Sequence, residues 1–226
     1  MRPVAPVVAV RGCPQGLPWA LRDMRSVRAL TVISVPTPDT TDRTWARKLV
    51  RDALQQTLGA LLGQPAASVA LVSRPGEAIA VDSPLMPLGL SVSHAPELSI
   101  AAICRNASVG IDLMRLQDGM EADANWLGVA RDYLGPHVAA GLQVTAPADY
   151  PVAFTQAWTR FEAGLKCLGL ALTEWSPELA QQLATCQTWA LDFAANPGGL
   201  VAVEGNFVGS VAVRAQALPP LHPLHR

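Results

Sequence analysis

Asp112 lies in the run Val109-Gly110-Ile111-Asp112-Leu113-Met114, among apolar residues. A carboxylate in that setting is costly to bury unless it is paired, hydrogen-bonded or bound to a metal, which marks Asp112 for function above packing. Glu162 and Lys166 stand four apart in Trp158-Thr159-Arg160-Phe161-Glu162-Ala163-Gly164-Leu165-Lys166-Cys167-Leu168-Gly169, the acid-then-base order that puts both on one helix face. Alone they read equally well as a surface ion pair contributing ~0.2–0.5 kcal/mol. Together with Asp112 they supply what phosphoryl transfer asks of a protein. Mg²⁺ takes one or two carboxylates plus phosphate oxygens and water, and the rest of the catalysis is positioning and charge neutralisation. Lys166 is one of two lysines in the chain. Ser93 and His94 are adjacent at the end of Leu90-Ser91-Val92-Ser93-His94-Ala95. Neighbours on a strand point to opposite faces, so they are not a nucleophile–base pair, and His94 alone reads as a hydrogen-bonded structural histidine. Arg43, Arg47 and Arg51 recur every four residues as one cationic stripe, either a solvated face or an anion site.

The elements that must position these groups follow from periodicity and punctuation. Ala29 to Val35 is rich in β-branched residues and reads as a strand closed by Pro36, Pro38 and Asp39. A long helix is expected from Arg43 to Leu62, with Trp45, Leu49, Leu54, Leu58 and Leu61 at helical spacing. Thr41 or Asp42 would cap its start, and Gly63 would stop it. Short strands follow at Val69–Val72, Ala78–Val81, Leu88–Val92, Leu98–Cys104 and Val109–Leu113. Helices are expected over Glu121–Leu134, Val138–Leu142 and Val152–Gly169, then strands over Thr188–Phe193, Gly199–Val203 and Phe207–Val213. The stretch Met1 to Arg28 shows no clear role, and the Pro- and His-rich tail from Leu218 reads as poorly ordered. Segregated strand and helix runs argue for an α+β fold of two packed halves and against a doubly wound parallel sheet.

Composition sets the outer bounds. The chain has 226 residues, half of them hydrophobic and 15% charged, with a formal net charge of −1. A disordered chain would be more polar, and a general nucleic-acid or polybasic membrane binder would carry surplus cations. No stretch suits a signal peptide or a membrane span. Cys13, Cys104, Cys167 and Cys186 form no C-x-x-C pair and read as reduced thiols of a cytosolic protein, with zinc not expected. The P-loop, the dinucleotide-binding G-x-G-x-x-G and the G-x-S-x-G elbow are all missing.

In order and spacing, Ser93-His94, Gly110-Ile111-Asp112 and Trp158 through Gly169 resemble the motifs S-H, G-[VI]-D-[IL]-E and W-[ST]-x-x-E-[AS]-x-x-K-x-x-G of the Sfp-type 4′-phosphopantetheinyl transferases. The resemblance spans roughly Arg43 to Phe193. It implies two similar α/β halves packed as a pseudo-dimer, here residues 1–107 and 108–226, with coenzyme A in the cleft between them. It implies transfer of phosphopantetheine from coenzyme A to a serine hydroxyl of an acyl or peptidyl carrier protein, releasing adenosine 3′,5′-bisphosphate. By motif match Asp112 and Glu162 would hold Mg²⁺, and Glu162 would also take the serine proton. Lys166 would stabilise phosphate charge, and Ser93 and His94 would contact the 3′-phosphate of coenzyme A. Arg43 and Arg47 would add to the coenzyme A site. A cytoplasmic monomer without nucleic-acid or membrane partners is expected.

Four positions depart from the family pattern. Met114 stands where a second acidic residue is usual, on the same strand face as Asp112, so weaker metal binding is expected. Phe161 replaces a basic residue, Glu77 replaces the cation of a G-[KR]-P element, and His137 stands near a position that is often acidic. These departures leave an alternative, a catalytically impaired member that binds carrier proteins or a nucleotide.

Overall fold

The computed structural model of the chain describes residues 7–27, 29–37, 43–74, 78–81, 87–116, 124–194 and 207–215. Its first half runs β1 (Val7–Gly12), α1 (Leu17–Met24), β2 (Leu30–Pro36), α2 (Arg43–Leu62), β3 (Leu71–Val72), β4 (Ala80–Val81), β5 (Leu88–Ala95) and β6 (Leu98–Arg105). The second half runs β7 (Ala107–Arg115), α3 (Ala124–Val129) continued by a π-turn over Ala130–Leu134, α4 (Pro136–Gln143), α5 (Tyr150–Leu168), α6 (Pro177–Leu183), β8 (Gln187–Asp192) and β9 (Phe207–Ala215). The Arg-rich helix has the bounds its periodicity predicts. Within Met1 to Arg28, a stretch with no clear role from sequence, β1 and α1 build part of the core. Thr41, Asp42, the expected strand Gly199–Val203 and the tail from Leu218 lie outside the described residues.

Seven strands form one mixed sheet in the order β5-β6-β2-β1-β8-β9-β7, and β3 and β4 form a separate ribbon. Strand β1 runs parallel to both β2 and β8, and the remaining pairs are antiparallel. One arrangement occurs twice. In β2-α2-β5-β6 and again in β7-α5-β8-β9, a strand leads through a long helix into a hairpin whose second strand lies in the middle. Asn106, at φ 57°, makes the tight link from one set to the other, a conformation asparagine tolerates better than most residues.

Alternate residues of each strand face opposite sides. One side of the sheet builds a core shared by both halves, with Val10, Val32 and Ile100 packed with Val109, Ile111 and Val211. Each such side chain stabilises the fold by about 1.5–3 kcal/mol when fully buried. On the other side, Ile33 and Ile103 meet Leu54 and Leu58 of α2. Helix α5 sits on β7 and β9 through Ala163, Cys167 and Ala212. Helices α3, α4 and α6 cover its outer face around Phe154, Phe161 and Leu165. Among the described residues no helix is long and apolar enough to cross a membrane.

Candidate active site

The two ends of the sheet order, β5 and β7, lie against each other without a hydrogen-bonded ladder among the described residues. Serine hydroxyls take the place of carbonyl acceptors. Ser91 Oγ accepts from the Ile111 N–H at 3.1 Å, and Ser93 Oγ accepts from the Leu113 N–H at 3.2 Å. Helix α5 reaches the same place because Gly110 has no side chain. A Cβ there would stand 2.0 Å from the Ala163 carbonyl oxygen and 2.3 Å from the Cys167 nitrogen. Asp112, two residues on, shares the face of Gly110 and so points toward α5. The last turn of α5 is fixed by Gly169 at φ 71°. The Gly169 N–H donates to the Lys166 carbonyl at 3.1 Å and the Leu170 N–H to the Leu165 carbonyl at 2.9 Å, the paired bonds of a Schellman cap.

These elements bring Ser93, Asp112, Glu162 and Lys166 together. Asp112 is 6% exposed. Its Oδ1 accepts from Ser93 Oγ at 3.0 Å and from Lys166 Nζ at 2.7 Å. Lys166 also donates to the Ile111 carbonyl at 3.2 Å and stands 4.0 Å from Glu162 Oε2. The Glu162–Lys166 pair is therefore the looser of the two carboxylate contacts to this ammonium. Removing Lys166 would leave the buried Asp112 carboxylate without its counter-charge, a destabilising change that the one-third exposure of the ammonium moderates. Behind Asp112, its ladder partner Ser210 accepts from Gln156 Nε2 at 2.9 Å and lies 3.1 Å from Thr159 Oγ1, which ties α5 to β9.

A cleft of about 370 Å³ opens over this cluster, lined by Arg43, Ser93, His94, Asp112, Met114, Trp158, Glu162 and Lys166 together with Val92 and Leu113. Burial raises the Glu162 carboxyl above its ordinary pKa, repulsion from Asp112 adds to the rise, and Lys166 opposes it. His94 is driven down to about 4, first by burial and then by Arg47, Arg43 and Lys166, so the imidazole is neutral at neutral pH. Its Nδ1 lies 2.7 Å from Ser99 Oγ. Sequence reasoning passed over Ser99, although the hairpin register that sets it opposite His94 was the signal available. A second cavity of about 820 Å³ adjoins the first through Val92 and His94 and is lined by Arg47, Lys48, Arg51 and Arg74. The three-arginine stripe does not act as one unit, because the Arg51 guanidinium donates to the Leu71 carbonyl, while Arg43 and Arg47 lie toward His94.

The departures from the motif pattern separate by position. Met114 lines the cleft beside Asp112, as the strand period predicts. Phe161 is 7% exposed and packs with Trp158 on the α3–α4 side of α5, so its loss of charge falls outside the cleft. His137 is exposed in the first turn of α4 and is not among the cleft-lining residues, since α4 packs on the Phe161 side of α5. Glu77 lies outside the described residues. Among the described residues no group of three or more His, Cys, Asp or Glu is placed to hold a metal ion, so the carboxylates on hand are the pair Asp112 and Glu162. No protein-family model matches the chain, and no curated protein matches it.

Proposed function

We propose that this chain transfers the phosphopantetheine group of coenzyme A to a serine hydroxyl of an acyl or peptidyl carrier protein, with Mg²⁺ as cofactor, as a cytoplasmic monomer. The reading rests on one observation. Ser93-His94, Asp112 and the Glu162–Lys166 pair, far apart in sequence, line a single cleft with Arg43. The repeated strand–helix–hairpin order supports the finer expectation of two similar halves with the cosubstrate between them.

The residues present fit Mg²⁺. Both donors to Asp112 meet Oδ1, which leaves Oδ2 for a ligand. Burial and the nearby Asp112 charge both disfavour ionised Glu162, and a hard cation held by the two acids would offset them. When bound, Mg²⁺ neutralises charge on the pyrophosphate oxygens. Neutral His94, with Arg43 and Arg47, would bind the 3′-phosphate. The Ser93 hydroxyl is engaged inside the protein, so its part is to orient Asp112. The carrier serine oxygen bonds to the phosphorus that bears the pantetheine arm. The P–O bond to adenosine 3′,5′-bisphosphate breaks, and the serine proton passes to Glu162 directly or through water. A raised carboxyl pKa brings Glu162 closer to the working pH, where a general base is most effective.

The test is intact-mass analysis of apo carrier proteins incubated with this protein, coenzyme A and Mg²⁺. One phosphopantetheine should be added, and the gain should vanish with Asp112→Asn or Glu162→Gln while circular dichroism shows that both variants keep the fold. Transfer that persists in both variants would remove the roles assigned to them. Met114 in the cleft favours a second reading, a binding protein with too few acids for turnover. It is recognised by coenzyme A or carrier binding without any mass gain.

A further inference from the structure

The ammonium of Lys166 already occupies the place between the two carboxylates. It lies 2.7 Å from Asp112 Oδ1 and 4.0 Å from Glu162 Oε2. We propose that Lys166 is a built-in counter-ion of the carboxylate pair, so that Asp112 and Glu162 hold a divalent cation tightly only when a pyrophosphate ligand draws the ammonium away. The inference rests on the reading of these two acids as metal ligands.

Three observations carry it. The lysine is the movable partner, because its side chain is 33% exposed against 8% for Asp112, and Ser93 pins the carboxylate. There is room for it to move, since Lys166 lines both the 370 Å³ cleft and a neighbouring cavity of about 550 Å³ beside Ile79, Ser91 and Leu170. The charge count completes the case. Two carboxylates and one ammonium carry a single net negative charge, so a divalent cation added alone would turn the cluster positive against Lys166, Arg43 and the Arg47 side of His94. A pyrophosphate diester brings two negative charges, reverses that balance and offers Lys166 a new partner. Metal and phosphate therefore bind with positive coupling, and linkage makes the coupling reciprocal.

The experiment uses the full chain, with Mn²⁺ followed by its electron paramagnetic resonance signal and coenzyme A followed by calorimetry. In the wild-type protein Mn²⁺ alone should bind weakly, and coenzyme A should bind on the order of tenfold more tightly with Mn²⁺ than without it. Lys166→Met should bind Mn²⁺ alone on the order of tenfold more tightly than wild type, with the coupling reduced to about twofold or less. Lys166→Arg keeps the charge and should keep the coupling. Equal Mn²⁺ affinity in wild type and Lys166→Met would overturn the counter-ion role, as would coenzyme A binding that ignores Mn²⁺ in the wild-type chain, a result that needs no folded variant. Tightened Mn²⁺ binding in Lys166→Met without any coenzyme A binding would instead remove the coenzyme A reading and leave the counter-ion standing. Phosphopantetheine transfer without Mn²⁺ coupling would do the reverse.

Discussion

At the scale of single residues, the site is organised by which charges are held and which are free to change. His94 shows the sign of the effect. Its folded-state pKa, about 4, lies below the 6.5 of an exposed histidine. The unfolded chain therefore takes up the proton first as pH falls. The stability that His94 contributes is complete above about pH 6.5 and is lost progressively toward pH 4, by roughly 1–2 kcal/mol at pH 4.5 after solvent screening of the partly exposed ring. Urea unfolding of wild type and His94→Gln at pH 7 and pH 4.5 checks this. The wild-type loss should exceed that of the variant by about this amount, and parallel losses would show that the groups around His94 do not depress it. The motif pattern alone points to Ser93, Asp112, Glu162 and Lys166. It did not reveal that Ser93 bonds to Asp112, because that contact depends on β5 lying across β7, a relation between strands that no local spacing encodes. The motif also put Phe161 beside Glu162. One residue along a helix is about a quarter-turn away, which was enough to send Phe161 into the core.

At the scale of elements, the junction of α5 with β7 decides whether the acids and the lysine meet. Gly110 permits the contact. The three atoms that an added Cβ would strike, on Ala163, Lys166 and Cys167, all belong to the helix backbone and cannot rotate aside. Gly110→Ala should therefore cost about 1–3 kcal/mol, as overpacking does. It should lower the melting temperature and, by shifting α5, weaken the Mg²⁺ binding proposed for Asp112 and Glu162. An unchanged melting temperature would mean that helix and strand are less tightly docked than these distances state. Elements with long or β-branched patterns were legible from sequence: α2 from its leucine spacing, β6 and β7 from mostly apolar runs set between turn residues. Helix α1 was not, since Pro14, Gly16 and Pro18 crowd its start and eight residues give little period to read. Helix α6 was missed for the same reason, with seven residues behind Pro177.

At the scale of the whole molecule, the two repeats share one core and one sheet, with β1 joining them between β2 and β8. Heating should give one calorimetric transition, because neither 1–107 nor 108–226 has a second wall for its inner face. Two separate transitions would show that the repeats are independent domains. The position of β1 also bears on synthesis. Val7 pairs with Ala190, so this strand must wait for a partner made roughly 180 residues later. At ribosomal rates of about 5–20 residues per second, roughly ten to forty seconds separate the two. Through that interval the nascent first repeat carries an uncovered sheet edge, the feature most apt to join strands of other chains. The stage at which a holdase would matter most for this protein is thus the time before β8 leaves the exit tunnel.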